Sequence, residues 1–153
     1  MDLILWRHAE AELLREGHDD MQRSLTAKGQ RQAKRMADWL NQRLPASTRI
    51  LASPAVRTQQ TVLALDRRFK TVDLLAPECS ADDLLKAARW PNSSEPVLIV
   101  GHQPTLGIVA ARLLAGADQA WSVKKGAVWW LAQRDREGEA QVTLLAVQGA
   151  EKL

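Results

Sequence analysis

Two of the three histidines in this 153-residue chain stand where an apolar segment ends. Arg7 and His8 close the apolar segment near the N-terminus, and His102 follows the most continuous apolar segment of the chain. A further arginine, Arg57, comes shortly after a third apolar segment. Imidazole can serve as a nucleophile or a base, and the planar guanidinium group pairs with two phosphate oxygens at once. These residue types predict a cationic site suited to a phosphoryl group.

Strands and helices alternate along the predicted chain, and this alternation indicates how the four side chains are positioned. Strands are predicted at Leu3–Trp6, Arg49–Ala52, Val72–Leu75 and Pro96–Val100, with a final pair at Ala127–Leu131 and Gln141–Val147. Helices are predicted from the N-cap Thr26 to Pro45, from Ser53-Pro54 to about Phe69, from Ser80 to about Trp90, and from Thr105 to Ala115. The alternation favours a mainly parallel sheet, and the turn at Arg134–Glu139 makes the last pair an antiparallel hairpin.

The carboxyl ends of parallel strands meet at one edge of a sheet, where ligand sites gather in such folds. We therefore expect Arg7, His8, Arg57 and His102 to converge at this edge. Helix N-termini there add backbone donors and the positive end of the helix dipole. Taken singly, each residue also fits a solvated turn or a helix-surface charge, as His18 does in its polar loop. The joint placement of the four at equivalent strand ends favours a functional site.

The composition fits one domain over residues 1–153, since 46% of the residues are apolar and 25% are charged. The expected fold is α/β, a three-layer sandwich with a mainly parallel sheet and an antiparallel edge hairpin. The single cysteine, Cys79, excludes an internal disulfide and a multi-cysteine zinc site. No apolar run is long enough for a membrane helix, and Asp2 and Arg7 break the N-terminal apolar run too early for a signal peptide. We therefore expect a cytoplasmic protein without a membrane partner.

Four segments, in order, resemble the motifs of the histidine phosphatase superfamily, whose fold is phosphoglycerate mutase-like. They are Leu3-Ile4-Leu5-Trp6-Arg7-His8-Ala9-Glu10-Ala11, Asp20-Met21-Gln22-Arg23-Ser24-Leu25-Thr26-Ala27-Lys28-Gly29, Leu51-Ala52-Ser53-Pro54-Ala55-Val56-Arg57-Thr58-Gln59-Gln60-Thr61 and Val97-Leu98-Ile99-Val100-Gly101-His102-Gln103-Pro104. The motifs cover most of the chain. The short length resembles the SixA branch, the protein phosphohistidine phosphatases, because the larger mutases and acid phosphatases carry long insertions.

The resemblance implies a two-step phosphoryl transfer that needs neither a metal nor a cofactor. His8 would attack phosphorus and become phosphorylated, and water would then hydrolyse this intermediate. The ring nitrogen that does not attack would donate to a backbone carbonyl. Arg7, Arg57 and His102 would hold the phosphoryl oxygens as charge spreads onto them in the transition state.

Two positions depart from the family pattern. The usual glycine after the first histidine is Ala9, a small change if the backbone there stays in an ordinary region. Glu78 is the candidate general acid, but its context, Ala76-Pro77-Glu78-Cys79-Ser80, differs from the usual acid motif. A site with a weak general acid favours cleavage of a nitrogen–phosphorus bond. Imidazole, with a pKa near 6.5, leaves more easily than an alkoxide, for which water at roughly 15.7 is the guide.

Three alternatives remain at the level of the sequence. The favoured substrate is a protein that bears phosphohistidine. A small-molecule phosphomonoesterase of the same fold and a non-catalytic phosphate- or protein-binding module are the others. The net charge of +3 is small, and the basic side chains of residues 28–43 lie opposite an apolar stripe, so we expect no nucleic-acid partner. The oligomeric state is left open.

Overall fold

The computed structural model describes residues 1–153, and a six-stranded sheet lies at the centre of the molecule. The strands are β1 (Asp2–Arg7), β2 (Arg49–Ala52), β3 (Lys70–Thr71), β4 (Val97–Gly101), β5 (Val128–Arg136) and β6 (Glu139–Gln148). Their order across the sheet is β3-β2-β4-β1-β5-β6. The first four are parallel to one another, whereas β5 runs antiparallel to β1 and β6 antiparallel to β5. The predicted parallel sheet with an antiparallel edge hairpin is confirmed.

Helices cover both faces of the sheet, which gives the predicted three layers. The helices are α1 (Ala27–Asn41), α2 (Val56–Leu63), α3 (Ala81–Ala88) and α4 (Thr105–Ala115). Alternate residues of β1 point to opposite faces: Leu3 and Leu5 join a core cluster with α3 and α4, and Ile4 and Trp6 join another with α1 and α2. Because β1 and β4 are buried on both faces, their sequences are almost continuously apolar. No helix has the length and apolar character needed to cross a membrane.

The starts of two helices are fixed by side-chain caps that the sequence indicated. Thr26 is the N-cap of α1, and its hydroxyl accepts a hydrogen bond from the Gly29 amide at 2.9 Å. Ser80 and Asp83 form a reciprocal capping box at the start of α3. These caps fix where α1 and α3 leave the loops at the site edge of the sheet.

The predicted strand Val72–Leu75 is wrong. The strand is Lys70–Thr71, and Asp73–Leu75 forms a 3₁₀ turn. The Val72 amide still donates to the Ala52 carbonyl at 2.9 Å, but β2 ends at Ala52 and offers no further backbone to pair with. The chain therefore turns, and this buries Leu75 in the core beside α3 and α4.

The second and third helices are shorter than predicted. α2 begins only at Val56, because the Ser53 hydroxyl accepts from the Ala55 amide and the chain stays extended through Ala55. It ends at Leu63 rather than near Phe69, and Asp66 just beyond has a left-handed φ of 52°. α3 ends at Ala88, ahead of the predicted Trp90, because Arg89 is left-handed with a φ of 58°.

The final hairpin is longer and its turn tighter than predicted. The residues Glu137 and Gly138 make the turn, with φ values of 53° and 80°. A two-residue turn of type I′ needs positive φ at both positions, and it lets the two strands pair right up to the turn. Arg134–Arg136 and Glu139, assigned to the turn from the sequence, therefore belong to β5 and β6.

Candidate active site

The parallel strands bring the two histidines together at the carboxyl edge of the sheet. Arg7 at the end of β1 pairs in register with Gly101 at the end of β4, so His8 and His102 follow neighbouring strand ends. Their ring centroids are 5.4 Å apart. Arg57, in the first turn of α2, lies close enough for its charge to lower the pKa of His8, His102 and Arg7. The structure thus gathers all four residues singled out by the sequence.

His8 is buried, with 6% of its surface exposed, and one ring nitrogen is already engaged. Its Nδ1 lies 2.7 Å from the Ala9 carbonyl oxygen. A carbonyl can only accept, so Nδ1 carries the hydrogen and Nε2 keeps a free lone pair. Burial, together with the charges of Arg57 and Arg7, lowers the pKa of His8 to about 4, against the opposing effect of the Ala9 carbonyl. The ring is therefore neutral at pH 7, as a nucleophile requires.

The replacement of the usual glycine by Ala9 is accommodated. Ala9 is fully buried and is not among the residues with positive φ. Its amide donates to the Thr61 hydroxyl at 3.1 Å. The added methyl group therefore introduces no backbone strain, and the carbonyl remains in place to accept from His8.

His102 is also buried and neutral. Burial, followed by the charges of Arg57 and His8, lowers its pKa to about 3. Its Nε2 lies 2.7 Å from the hydroxyl of Ser53, the residue that follows β2. Its Nδ1 is buried and has no hydrogen-bond partner.

The two arginines are anchored through their terminal nitrogens. Arg7 donates from Nη1 to the Val123 carbonyl at 2.9 Å. Arg57 donates from Nη1 to the Asp20 carbonyl at 2.8 Å, and its Nη2 lies 3.2 Å from the Asp20 carboxylate. Burial lowers the pKa of both guanidinium groups, and the charge of Arg57 lowers that of Arg7 further. Both remain cationic, so the site concentrates positive charge around two neutral imidazoles.

Three buried side-chain nitrogens lack a hydrogen-bond partner in the whole chain, and all three belong to this site. They are Nε of Arg7, Nε of Arg57 and Nδ1 of His102. A buried donor without a partner costs about 1–3 kcal/mol, so natural proteins rarely leave one unpaired. Because their residues converge with His8 at one edge of the sheet, these unpaired donors indicate a ligand with several acceptor oxygens. A tetrahedral oxyanion such as a phosphoryl group fits this need.

Asp20 and Ser53 contact the site residues, and the sequence did not assign either of them a role in the site. Asp20 anchors Arg57, and Ser53 contacts His102. Both lie within the segments that resemble the family motifs, and this was the only signal for them. Glu78, by contrast, is exposed, has a left-handed φ of 72° and makes no hydrogen bond to the site. His18 is exposed in its loop, as expected.

Comparison with known proteins agrees with this geometry. Residues 3–78 match the profile of the histidine phosphatase superfamily, branch 1. The phosphohistidine phosphatase SixA homolog of Haemophilus influenzae is 33% identical over 129 residues, and the match covers 74% of this chain and 77% of that protein. The phosphohistidine phosphatase SixA of Escherichia coli is 30% identical over 125 residues, 76% of each chain. The chain belongs to the histidine phosphatase superfamily, in its SixA-type branch, and is thus a hydrolase of the phosphatase class.

Solved structures share the fold over nearly the whole chain. The protein histidine phosphatase SixA complexed with tungstate gives a TM-score of 0.81 at 23% identity and covers 99% of both chains. A mutant phosphoserine phosphatase from Entamoeba histolytica, in complex with phosphoserine, gives a TM-score of 0.71 at 16% identity and covers 99% and 98%. The phosphoglycerate mutase-like fold is therefore confirmed, and it serves phosphatases with different substrates.

Proposed function

We propose that this chain removes phosphate from phosphohistidine in proteins and that His8 is the nucleophile. One observation carries the proposal. Three buried nitrogens without partners belong to Arg7, Arg57 and His102, which lie at the same edge of the sheet as a neutral histidine whose Nε2 lone pair is free. The relatives named phosphohistidine phosphatases support the choice of substrate.

The reaction proceeds in two balanced steps. In the first, Nε2 of His8 forms a bond to phosphorus while the bond from phosphorus to the substrate ring breaks; that ring carries a proton on its other nitrogen, so it leaves as neutral imidazole with the electron pair of the broken bond. In the second, the oxygen of water forms a bond to phosphorus while the nitrogen–phosphorus bond breaks, its electron pair returns to Nε2 of His8, and both hydrogens of the water leave with the phosphate as H₂PO₄⁻. Arg7, Arg57 and Nδ1 of His102 stabilise the negative charge on the equatorial oxygens in both transition states.

Neither candidate carboxylate, Asp20 or Glu78, is suited to protonate a leaving group, and this favours a substrate whose leaving group needs little protonation. Asp20 is the acidic residue in direct contact with Arg57. Burial opposes the shift, but the charges of Arg57 and Arg23 and their hydrogen bonds lower the pKa of Asp20. It is therefore ionised at pH 7 and cannot donate a proton. Exposed Glu78 makes no hydrogen bond or salt bridge with the site residues. An alkoxide needs a proton as it leaves, whereas imidazole needs far less help.

We propose further that the reaction needs no metal ion. Arg7 and Arg57 supply the positive charge that a divalent cation supplies in many phosphoryl-transfer enzymes. We expect full turnover after treatment with EDTA and dialysis. Loss of activity that Mg²⁺ or Zn²⁺ restores would overturn this part of the proposal.

The test follows the phosphoryl group from a ³²P-labelled phosphohistidine protein. The native chain should release phosphate and, after rapid acid-free quenching, show a labelled phosphoenzyme that is stable to alkali and labile to acid. His8→Ala should abolish both. His18→Ala is the matched control, because this histidine is exposed, and it should behave as the native chain. Turnover by His8→Ala, or faster hydrolysis of phosphoserine than of phosphohistidine, would overturn the proposal and favour the small-molecule phosphomonoesterase.

A further inference from the structure

A pocket with a volume of about 310 Å³ opens beside Arg7. Its lining is strongly polar and contains one hydrophobic residue among eleven. The cationic side chains are those of Arg7, Lys28, Lys124, Lys125 and Lys152. We call it the lysine pocket. Arg7 belongs to both this pocket and the candidate active site, so the two lie side by side.

The turn that carries Lys124 and Lys125 is hydrogen-bonded to the chain at the end of β1, where His8 follows. The Gly126 amide donates to the carbonyls of Arg7 and His8, at 3.1 and 3.0 Å. The Gly126 carbonyl accepts from the indole of Trp6 at 3.2 Å. Arg7 in turn donates to the Val123 carbonyl. Residues 123–126 therefore hold a fixed position next to the catalytic motif, and the exposed side chains of residues 124 and 125 project from a rigid turn.

The carboxylates of the lysine pocket are already engaged. Glu151 pairs with Lys28 at 3.7 Å, and Glu10 accepts from the Thr26 hydroxyl at 2.8 Å. Lys124, Lys125 and Lys152 are all exposed, and none of them forms a salt bridge within the chain. The pocket therefore offers uncompensated positive charge beside the phosphate site.

We propose that the lysine pocket binds acidic side chains of the protein that carries the phosphohistidine. This rests on the proposed function and extends it by naming a property of the partner, a carboxylate-rich surface around the modified histidine. Ammonium groups on long stems reach carboxylates at various positions, which suits a protein surface. Charge complementarity of this kind raises the association rate and selects partners, and salt screens it.

The test compares two synthetic phosphohistidine peptides that differ in the flanking residues, glutamate in one and glutamine in the other. Free phosphohistidine reports the chemistry without any flanking charge. The native chain should show a higher kcat/KM for the glutamate peptide, and the preference should shrink as NaCl rises from 20 to 500 mM. The double variant Lys124→Glu, Lys125→Glu should lower the ratio of the two kcat/KM values about tenfold, because it removes two exposed ion pairs, each with a modest effect, and places like charges in their stead.

The control is the double variant Lys70→Glu, Lys86→Glu, which makes the same change in net charge. Both of these lysines are exposed and neither lines the lysine pocket. It should keep the native ratio. The inference is overturned if the native chain shows no preference for the glutamate peptide or if the Lys124/Lys125 variant keeps that preference. It is also overturned if kcat/KM of that variant falls by the same factor for both peptides. Failure of the native chain to hydrolyse even free phosphohistidine would instead overturn the proposed function itself.

Discussion

The hydroxyl of Ser53 lies 2.7 Å from Nε2 of His102, and this contact fixes which nitrogen of that ring carries hydrogen. Ser53 is fully buried, and its Oγ already accepts from the Ala55 amide at 3.2 Å. Nε2 of His102 is then the one acceptor within reach of the hydroxyl hydrogen. Since neutral imidazole bears a single hydrogen, it must sit on Nδ1. Nδ1 is the buried donor without a partner. Ser53 therefore keeps a hydrogen on Nδ1, and the ligand must supply the acceptor for it.

Replacing Ser53 with alanine should weaken catalysis through His102. Without the hydroxyl, both tautomers of the neutral ring become accessible, and the donor on Nδ1 is present only part of the time. Complete removal of one such donor lowers kcat by about 10²–10³, so we expect a loss of about tenfold in kcat/KM. The ¹⁵N chemical shifts of the His102 ring should move from the Nδ1–H pattern toward an averaged one.

Ser94→Ala serves as the control for this substitution, because Ser94 is exposed and bonds only to Glu95. It should leave both the ring shifts and kcat/KM at native values. Native ring shifts in Ser53→Ala would show that another group sets the tautomer of His102.

Asp20 positions Arg57, and its loss should raise KM more than it lowers kcat. Asp20→Asn removes the charge that faces Nη2 at 3.2 Å but keeps the backbone carbonyl that accepts from Nη1. Arg57 should therefore stay in the site with a looser orientation, and we expect KM to rise about threefold to tenfold. Steady-state kinetics with a phosphohistidine peptide measure the split. Native values of both KM and kcat in Asp20→Asn would show that the Asp20 carboxylate does not position Arg57.

The main features of the site could be predicted because they depend on local patterns. The apolar segments that end at Arg7 and before His102 indicate parallel central strands, and parallel strands place their carboxyl ends together. The anchoring of Arg57 by Asp20 joins residues that are far apart in sequence, across a loop without regular periodicity. No local pattern specifies such a contact. The same holds for Ser53, which the sequence assigns to a helix cap.

The errors in the fold have a related cause. Val72–Leu75 has the composition of a strand, but pairing ends there because β2 is short, and this depends on the neighbouring strand rather than on the segment. α2 ends early, at Leu63, and the chain beyond it passes through the left-handed residue Asp66. Because this residue is not a glycine, the sequence does not indicate the end of the helix. Glu137 likewise has positive φ without being glycine or asparagine. Both residues are exposed, and their positive φ belongs to the turns that they occupy, which the residue type alone does not reveal.

The buried histidines should make the protein less stable in mild acid. Burial lowers the pKa of His8 to about 4 and of His102 to about 3, whereas both titrate near 6.5 when unfolded. Between these values the unfolded chain binds more protons than the folded one. The free energy of unfolding therefore falls as the pH drops from about 6.5 toward about 4, by on the order of 2 kcal/mol per histidine.

Urea titrations at pH 7.0 and pH 4.5 measure this difference. His8→Gln removes one of the titrating groups, so the drop in stability should be smaller than in the native chain. His18→Gln alters an exposed histidine and should reproduce the native drop. If the His8 variant lost as much stability as the native chain, the ring of His8 would be titrating near its ordinary pKa.

Gly29 is the third residue of α1, and alanine in its place should destabilise the protein despite a better helix propensity. In an open helix the change from glycine would add about 1 kcal/mol of stability. Here a Cβ would overlap the carbonyl oxygen of Glu10, and that carbonyl is held by the Thr26 amide at 3.0 Å. A backbone contact cannot be relieved by a change of rotamer, so the clash outweighs the propensity. We expect a net loss of about 2 kcal/mol.

The affected segment also carries the nucleophile, because Glu10 lies two residues after His8. Gly29→Ala should therefore reduce kcat/KM as well as the midpoint of urea unfolding. Gly149→Ala is the matched control, since a Cβ there meets no atom within 4 Å and its φ is −84°. It should change the free energy of unfolding by less than about 0.5 kcal/mol. A Gly29→Ala protein as stable as the Gly149→Ala protein would show that α1 can move away from Glu10 and that their contact does not hold the His8 segment in place.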